Sequence, residues 1–221
     1  MEIREAGLGD LSGIVELHSR ARVAYYGAGG LPTEEILTPE LAREQREGWA
    51  AAITSARKQV RVAIVDGVLA GVLAMGPPHS SDLDPRTTAQ LYQIHVDPGL
   101  WGRGVGGALH ALFVRHLADE GLALGVLEVW ERNTRARAFY TRHGWRPDGT
   151  SRPGPARTPY VGMQLTHPLA RRLALTLTSA RPEPVDLHFR PRGCRFCPDR
   201  RGPHCKIAES LQPWPRPGLP C

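Results

Sequence analysis

A run of glycines between two apolar stretches constrains this chain more than any other sequence feature. The segment VDPGLWGRGVGGALH, residues 96–110, holds five glycines and one proline in fifteen positions. The apolar residues before it are typical of a strand, and apolar residues follow it at helical spacing. Backbone N–H groups at a helix start lack intrahelical acceptors and lie at the positive end of the helix dipole. The segment therefore predicts a strand–loop–helix unit that binds a phosphate or pyrophosphate.

Two other interpretations of the glycine run stay open at this point. The run serves only a tight turn, or it belongs to a dinucleotide fold, because Gly102, Gly104 and Gly107 match G-x-G-x-x-G. In a Rossmann unit the strand leads almost directly into the first glycine, near the start of a domain. Here the residues DPGLW intervene, and the pattern predicts two helices and a hairpin upstream, which disfavours the dinucleotide fold.

Residues 1–166 alternate between strand-like and helix-like patterns, which predicts an α/β, or α+β layered, domain. Asp10 and Asn133 are the predicted N-caps of two helices, and Gly121 and Gly144 are predicted to follow helix ends. Asp66-Gly67 predicts the turn of a hairpin. The predicted strands are residues 1–6, 60–76 as a hairpin, 89–96, 123–130 and 159–166, and the predicted helices are 9–26, 40–56, 104–121 and 133–144, with loops between them.

The segment LYQIHVDPGLWGRGVGGALHALFVRHL resembles the acetyl-CoA motif of the GNAT superfamily of N-acetyltransferases. That motif is a strand ending in V-x-P, then Q/R-x-x-G-x-G/A, then a helix. The segment LEVWERNTRARAFYTRHGWRPDGT looks like the second motif of the family, a strand followed by N-x-x-A-x-x-F-Y-x-x-x-G-[FW]. The resemblance covers residues 1–166, and Trp101 stands where the family has Gln or Arg. It implies a mixed, mostly antiparallel sheet with two splayed parallel strands, flanked by helices.

The resemblance implies how acetyl-CoA is bound. The strand backbone would pair with the pantetheine arm, the glycine loop would hold the pyrophosphate, Asn133 would contact the cofactor near the arm, and Tyr140 would stand near the sulfur. The implied cofactor-binding residues are Ile94, His95, Val96, Trp101, Gly102, Arg103, Gly104, Val105, Gly106, Gly107, Asn133 and Tyr140.

Acetyl transfer to an amine needs an oxyanion donor, a proton for the leaving thiolate and a neutral amine. The N–H of Val96 is a candidate donor, and Tyr140 is the predicted general acid. Histone-type members of the family carry a glutamate at the position of Gln90. The glutamine amide cannot take up a proton, so the base is not identified at this position. Strand alternation predicts Gln90, Tyr92, Ile94 and Val96 on one face, and Leu91, Gln93 and His95 on the other. His95 is then a structural histidine or a base.

The acceptor region implied by the resemblance is the first helix with its following loop. Tyr25, Tyr26, Glu34 and Glu35 are candidates to receive a cationic amine through cation–π and charge contacts. Packing within the helix and a solvated polar loop explain the same residues equally well. Asp82 and Asp84 are further loop acids that either line a cleft or face solvent.

Residues 167–221 differ in composition and are predicted to be a linker and a Pro/Arg/Cys-rich tail. From residue 181 onward the chain carries eight basic and four acidic residues, a net charge of +4 out of +6 for the whole chain. Because the positive charge is concentrated in this tail, we expect a solvated arm rather than a surface that binds nucleic acid. All four cysteines lie in the tail. Within residues 188–205 they suggest a small zinc knuckle formed by Cys194, Cys197, His204 and Cys205, with His188 as a substitute ligand and unligated thiols as the alternative.

The sequence thus predicts an acetyl-CoA-dependent N-acetyltransferase that acts on a primary amine of a small molecule or protein. The alternative is an acyl-CoA-binding domain without turnover, whose tail binds a metal or a partner. The charged N-terminus and the lack of a run of ~20 apolar residues predict a cytoplasmic protein with no membrane partner. A homodimer is a further possible assembly.

Overall fold

The computed structural model describes residues 1–167, which form one seven-stranded sheet with helices on both faces. The elements are β1 (Glu2–Glu5), α1 (Leu11–Ala28), α2 (Thr33–Ile36), α3 (Pro39–Ile53), β2 (Gln59–Val65), β3 (Val68–Gly76), β4 (Thr88–Val96), α4 (Val105–Asp119), β5 (Leu124–Trp130), α5 (Thr134–Arg142), β6 (Arg146–Arg152) and β7 (Tyr160–Thr166). The strand order is β1-β2-β3-β4-β5-β7-β6, and only β4 and β5 run parallel. This architecture confirms the predicted mixed, mostly antiparallel sheet.

The two faces of the sheet carry separate apolar cores. Helices α4 and α5 cover one face, where Leu109 and Phe113 pack on Leu73 of β3. Helices α1 and α3 cover the other face, where Leu17 and Trp49 pack on Val62 of β2. Alternate residues of β2 and β3 serve opposite faces because side chains of a strand alternate. The sheet is therefore buried on both sides, which fixes the position of α4 relative to β4.

A β-bulge at Tyr92 makes the predicted alternation of β4 wrong. Ala74 and Met75 are adjacent on β3 but pair with Gln93 and Leu91, so β4 has one extra residue between them. An extra residue reverses the side-chain phase from that point onward. Ile94 and Val96 consequently pack on the α4 side, whereas His95 and Tyr92 lie on the side of α1 and α3.

Three other local predictions differ from the structure. The predicted loop after Gly144 contains strand β6, which is polar, includes Pro147 and lies at the edge of the sheet, where proline is tolerated. The predicted break after α1 contains the short helix α2. Asp10 does not cap α1 through its side chain, because its carboxylate accepts from Gly7 N and pairs with Arg4.

No helix in the described part of the chain is long and apolar enough to cross a membrane. The predicted linker and tail, including the zinc ligands Cys194, Cys197, His204 and Cys205, lie outside residues 1–167. Within that range, no group of three or more His, Cys, Asp or Glu side chains is placed to hold a metal ion.

Candidate active site

Strands β4 and β5 separate after a short stretch of pairing and leave a gap in the sheet. Their parallel register covers only Thr88–Gln90 against Leu124–Val126. Beyond it, β5 stays paired with β7 as far as Trp130, and β4 stays paired with β3 as far as Val96. One edge of β4 is therefore available to a ligand in extended conformation.

The backbone of β4 presents Ile94 and Val96 to this gap. Asp97 N donates to Ala70 O at 2.9 Å, which makes these two residues a hydrogen-bonded pair of the β3–β4 ladder. In an antiparallel ladder such pairs alternate, so the main-chain groups of His95 also point to β3. Those of Ile94 and Val96 point the other way. Val96 O already accepts from Trp101 Nε1 at 3.0 Å. The Val96 N–H points into the gap and has no acceptor within residues 1–167, so it is available to a ligand.

The glycine loop delivers a set of N–H donors beside the gap. Gly102 and Gly104 have φ values of 82° and 86°, a left-handed conformation that favours glycine. Asp97 holds the start of the loop by accepting from Gly99 N at 2.9 Å and pairing with Arg20 at 2.7 Å. No acceptor within residues 1–167 faces the N–H groups of five residues of the loop and first helical turn, namely Gly102, Gly104, Val105, Gly106 and Gly107.

The space in front of these donors is open. A Cβ on Gly107 would meet no atom within 4 Å, and a Cβ on Gly106 would make only ordinary contacts with Val96 and Phe139. The protein's own packing therefore does not require glycine at position 107. A helix start with unpartnered N–H groups and no side chain in front of it suits an anion.

Cations flank the same loop. Arg103 is exposed, and the guanidinium of Arg135, in the first turn of α5, lies 4.3 Å from the centre of the Trp101 ring. Trp101 thus links the loop to α5 as well as to Val96. Sequence reasoning missed Arg135, because only the cation–π contact of an otherwise ordinary helix arginine reveals its proximity to the loop.

Asn133 and Tyr140 lie on α5, on the opposite side of the gap. Asn133 Oδ1 caps the helix by accepting from Ala136 N at 3.1 Å, as predicted. The Tyr140 ring is buried and packs against Trp145 and Phe139, and burial raises the pKa of Tyr140. No other residue between 1 and 167 accepts from or donates to its hydroxyl, although that hydroxyl is not sealed in the core. The hydroxyl is therefore available to a ligand.

The C-terminal half of α1 places Tyr25 and Tyr26 at the gap, where they form a tyrosine cluster with Tyr160 of β7. Burial raises the pKa of Tyr25, and the nearby Arg22 charge opposes the rise. The Tyr25 ring lies parallel to that of His95 on β4, with centres 6.4 Å apart. Tyr26 packs edge-on against Trp130 of β5, and its hydroxyl is hydrogen-bonded to that of Tyr160. Tyr25 and Tyr26 thus lie beside β4 and β5, and their role in receiving a cationic amine stays a prediction.

The acidic candidates of the loops are exposed or paired within their own loop. Glu34 and Glu35 are exposed on α2, and Asp84 pairs with its neighbour Arg86 at 2.8 Å. Asp82 is also exposed. The charges near the tyrosine cluster are instead cations: Arg22 Cζ lies 5.3 Å from the centre of the Tyr26 ring, and Arg152 Cζ lies 4.0 Å from that of Tyr160.

His95 and His18 form a buried stacked pair with ring centres 4.0 Å apart. His18 Nδ1 accepts from Trp49 Nε1 at 3.0 Å, and His95 Nε2 lies 2.7 Å from Gln93 Oε1. Burial, reinforced by the Arg22 charge, lowers the pKa of His95 to about 3, and burial also lowers the pKa of His18. Both rings are therefore neutral at physiological pH.

Gln90 lies at the end of the paired stretch of β4, at the position where histone-type members of the family carry a glutamate. It is buried, and its Oε1 accepts from His79 N at 2.7 Å. The side chain thus anchors the loop between β3 and β4, and an amide has no proton-accepting role there.

Comparison with known proteins agrees with this geometry. A family model described as "Acetyltransferase (GNAT) family" matches residues 23–145. Among curated proteins, the mycothiol acetyltransferase of Parafrankia sp. is 42% identical over 62 residues, which are 28% of this chain and 19% of that protein. The mycothiol acetyltransferase of Frankia casuarinae is 35% identical over 112 residues, which are 48% of this chain and 31% of that protein. The chain thus spans less than a third of the length of these relatives.

Solved structures share the fold. The PaiA N-acetyltransferase from Thermoplasma acidophilum in complex with coenzyme A superposes with a TM-score of 0.60 at 18% identity, covering 75% of this chain and 98% of that one. The ribosomal-protein-S18-alanine N-acetyltransferase from Escherichia coli gives 0.56 at 22% identity, covering 75% and 93%.

Proposed function

Because the chain belongs to the GNAT acetyltransferase family, with residues 23–145 matching that model, we propose that it transfers the acetyl group of acetyl-CoA to a primary amine of a small molecule or protein. The observation that carries this proposal is the set of five unpartnered N–H groups at the start of α4, beside the gap between β4 and β5. These donors suit the diphosphate of coenzyme A. A neighbouring structure of the same fold is a coenzyme A complex.

The rest of the cofactor would follow the edge of β4. The main-chain groups of Ile94 and the N–H of Val96 would bind the pantetheine arm as an added strand, with the side-chain amide of Asn133 on the opposite side. Arg103 and Arg135 would add positive charge near the diphosphate. His95 would not bind the pantetheine arm in this arrangement, because its main-chain N–H and C=O point to β3.

The chemistry follows from the groups at the end of the gap. The amine nitrogen attacks the thioester carbon, and a main-chain N–H of β4 that the pantetheine arm leaves free donates to the oxygen that becomes negative. When the carbon–sulfur bond breaks, Tyr140 donates its proton to the departing thiolate as the general acid. Its raised pKa keeps that proton in place before the reaction. The proton lost by the amine passes to water, because His18 and His95 bind protons only weakly.

A panel of primary amines tests the proposal through the release of coenzyme A thiol. We expect Tyr140→Phe to lower kcat on the order of 100-fold or more, the range for loss of a general acid, with coenzyme A affinity unchanged. Tyr92→Phe is the matched control, because the Tyr92 hydroxyl bonds to Pro77 O away from the gap, and it should keep the wild-type kcat. Equal rates for wild type and Tyr140→Phe would refute the assignment of the acid.

An acyl-CoA-binding domain without turnover is the second candidate, favoured by the amide of Gln90 where histone-type enzymes carry a carboxylate. The same panel separates the two candidates. Tight binding of acetyl-CoA with no thiol release for any amine would support the binding domain and contradict acetyl transfer.

A further inference from the structure

A cavity of about 240 Å³ lies between α1, α2 and α3, next to the tyrosine cluster. Its lining includes the polar residues Ser19, Arg22 and Gln45 and the apolar residues Ile36 and Leu41. Pockets for drug-sized ligands measure roughly 300–1,000 Å³, so this cavity suits a single smaller molecule. It contains no acidic lining residue.

Two hydrogen-bond donors of this lining are buried without an acceptor. Gln45 is only 6% exposed; its Oε1 accepts from Ser19 Oγ at 3.0 Å, and its Nε2 has no partner among the described residues. Arg22 Nε is likewise buried and unpartnered. A buried donor without an acceptor costs about 1–3 kcal/mol. Such groups call for an explanation, and an acceptor supplied by water, an ion or a ligand is one.

The charge of Arg22 is also uncompensated. Within residues 1–167 it forms no ion pair, and its Cζ lies 5.3 Å from the centre of the Tyr26 ring. Arg20, two residues earlier on α1, pairs with both Glu16 and Asp97 at 2.7 Å. A half-buried guanidinium with donors in a planar fork matches a carboxylate.

Arg22 is one helical turn from the reacting region. Arg22 and Tyr25 are three residues apart on α1, a spacing that places Cβ atoms about 5–6 Å apart on one face of a helix. Tyr25 in turn lies parallel to the ring of His95, with centres 6.4 Å apart, and His95 lies on β4 between Ile94 and Val96, which face the gap. A ligand that reaches from Arg22 past Tyr25 to the gap is therefore short.

From this arrangement we infer that Arg22 and Gln45 bind the carboxylate of the acceptor, and that the acceptor is a free amino acid whose amine reaches Tyr25 and Tyr140. The inference rests on the proposed acetyl transfer and specifies its substrate class. Two N–H donors and one cation receive the carboxylate oxygens, and the amine lies on the side of the gap. The cavity volume admits one amino acid rather than a folded protein segment.

The test compares L-amino acids with their carboxamides as acceptors, using thiol release from acetyl-CoA. Rates are referred to the neutral amine fraction, because amidation lowers the pKa of the amine. We expect kcat/KM for the best amino acid to exceed that for its carboxamide by about 10- to 100-fold, the range for one hydrogen bond to a charged group. A peptide amide that begins with aspartate, included as a further arm, should react no faster than the carboxamides.

Three variants test whether the preference for an amino acid over its carboxamide depends on the cavity. Arg22→Gln should remove most of the preference for the acid and leave the carboxamide rate unchanged. Gln45→Leu should weaken binding of the amino acid and leave the melting temperature close to that of wild type, because loss of the bond from Ser19 Oγ is offset by removal of the buried, unpartnered Nε2. Arg43→Gln, an exposed cation on α3, is the matched control and should change neither rate. Coenzyme A affinity and circular dichroism report whether each variant is folded; if Arg22→Gln fails to fold, the wild-type comparison and Gln45→Leu decide.

The outcomes separate this inference from the proposed function. Carboxamides that react as fast as amino acids, or an Arg22→Gln variant that lowers both rates equally, would overturn the carboxylate site and leave acetyl transfer intact. A wild-type protein that binds coenzyme A but acetylates no acceptor of any arm would overturn both. A faster reaction with the aspartyl peptide than with free amino acids would overturn the free amino acid as the acceptor.

Discussion

Leucine at position 107 is expected to abolish coenzyme A binding while making the protein more stable. Gly107 is in the first turn of α4, and a Cβ there would meet nothing within 4 Å. Replacing a helical glycine by leucine without a clash should raise the free energy of unfolding by about 0.5–1 kcal/mol. The same side chain would fill the open space before the unpartnered N–H groups, where we place the diphosphate.

The size of the binding defect follows from the donors that the leucine would cover. A hydrogen bond to a charged group contributes about 1.5–3 kcal/mol. Loss of two such bonds is about 3–6 kcal/mol, and each 1.4 kcal/mol is about tenfold in affinity. We therefore expect the Kd for coenzyme A to rise on the order of 100-fold or more.

Calorimetric titration with coenzyme A and urea unfolding measure the two effects on the same protein. Gly27→Leu is the matched control, since Gly27 is an exposed helical glycine of α1 with equally open surroundings. It should gain similar stability and keep wild-type affinity. A Gly107→Leu protein that is stabilised yet binds coenzyme A as tightly as wild type would refute the placement of the diphosphate.

Three further predictions concern the framework of the site. Lowering the pH from about 7 to about 5 should decrease the free energy of unfolding by about 2 kcal/mol for each neutral buried histidine. Burial lowers the pKa of His95 to about 3 in the folded state, so the unfolded chain binds a proton that the folded chain does not. The stability present above pH ~6.5 is therefore lost as the pH falls. Urea unfolding checks this, and a His95→Gln variant with the same pH dependence as wild type would contradict it. Gly29→Ala should destabilise the fold severely, because a Cβ there would overlap the ring of Trp130, whereas Gly27→Ala should be neutral or stabilising; thermal unfolding compares them, and equal melting temperatures would show the reasoning to be wrong. Trp101→Phe removes the donor to Val96 O and should lower the free energy of unfolding by about 1 kcal/mol, measured by urea unfolding, with an unchanged value counting against that bond.

The order of elements and the loop before α4 were predictable because both depend on local patterns. The glycine run, the helical stripe of α4 and the cap at Asn133 each act within a few residues, and the structure shows all three. Val105, Leu109 and Phe113 of the stripe are buried as predicted. His110 is buried as well, because Trp145, distant in sequence, donates to its Nε2 at 2.8 Å.

The faces of β4 and the polar cavity were not predictable from one sequence. The bulge at Tyr92 depends on the register with β3, and no local residue type signals it. Strand β6 lacks apolar alternation and is held mainly by its pairing with β7. Arg22 and Gln45 come together only through the packing of α1 on α3, so the sequence favoured the exposed acids Glu34 and Glu35 instead.

Backbone amide resonances provide the most direct test of the central claim, that the start of α4 binds the diphosphate of coenzyme A. We expect titration of the isotope-labelled chain with coenzyme A to shift the amides of Gly102, Gly104, Val105, Gly106 and Gly107 first and most, with Ile94 and Val96 following as the pantetheine arm pairs with β4. Saturable binding that leaves these amides unmoved and shifts a different surface would contradict the account.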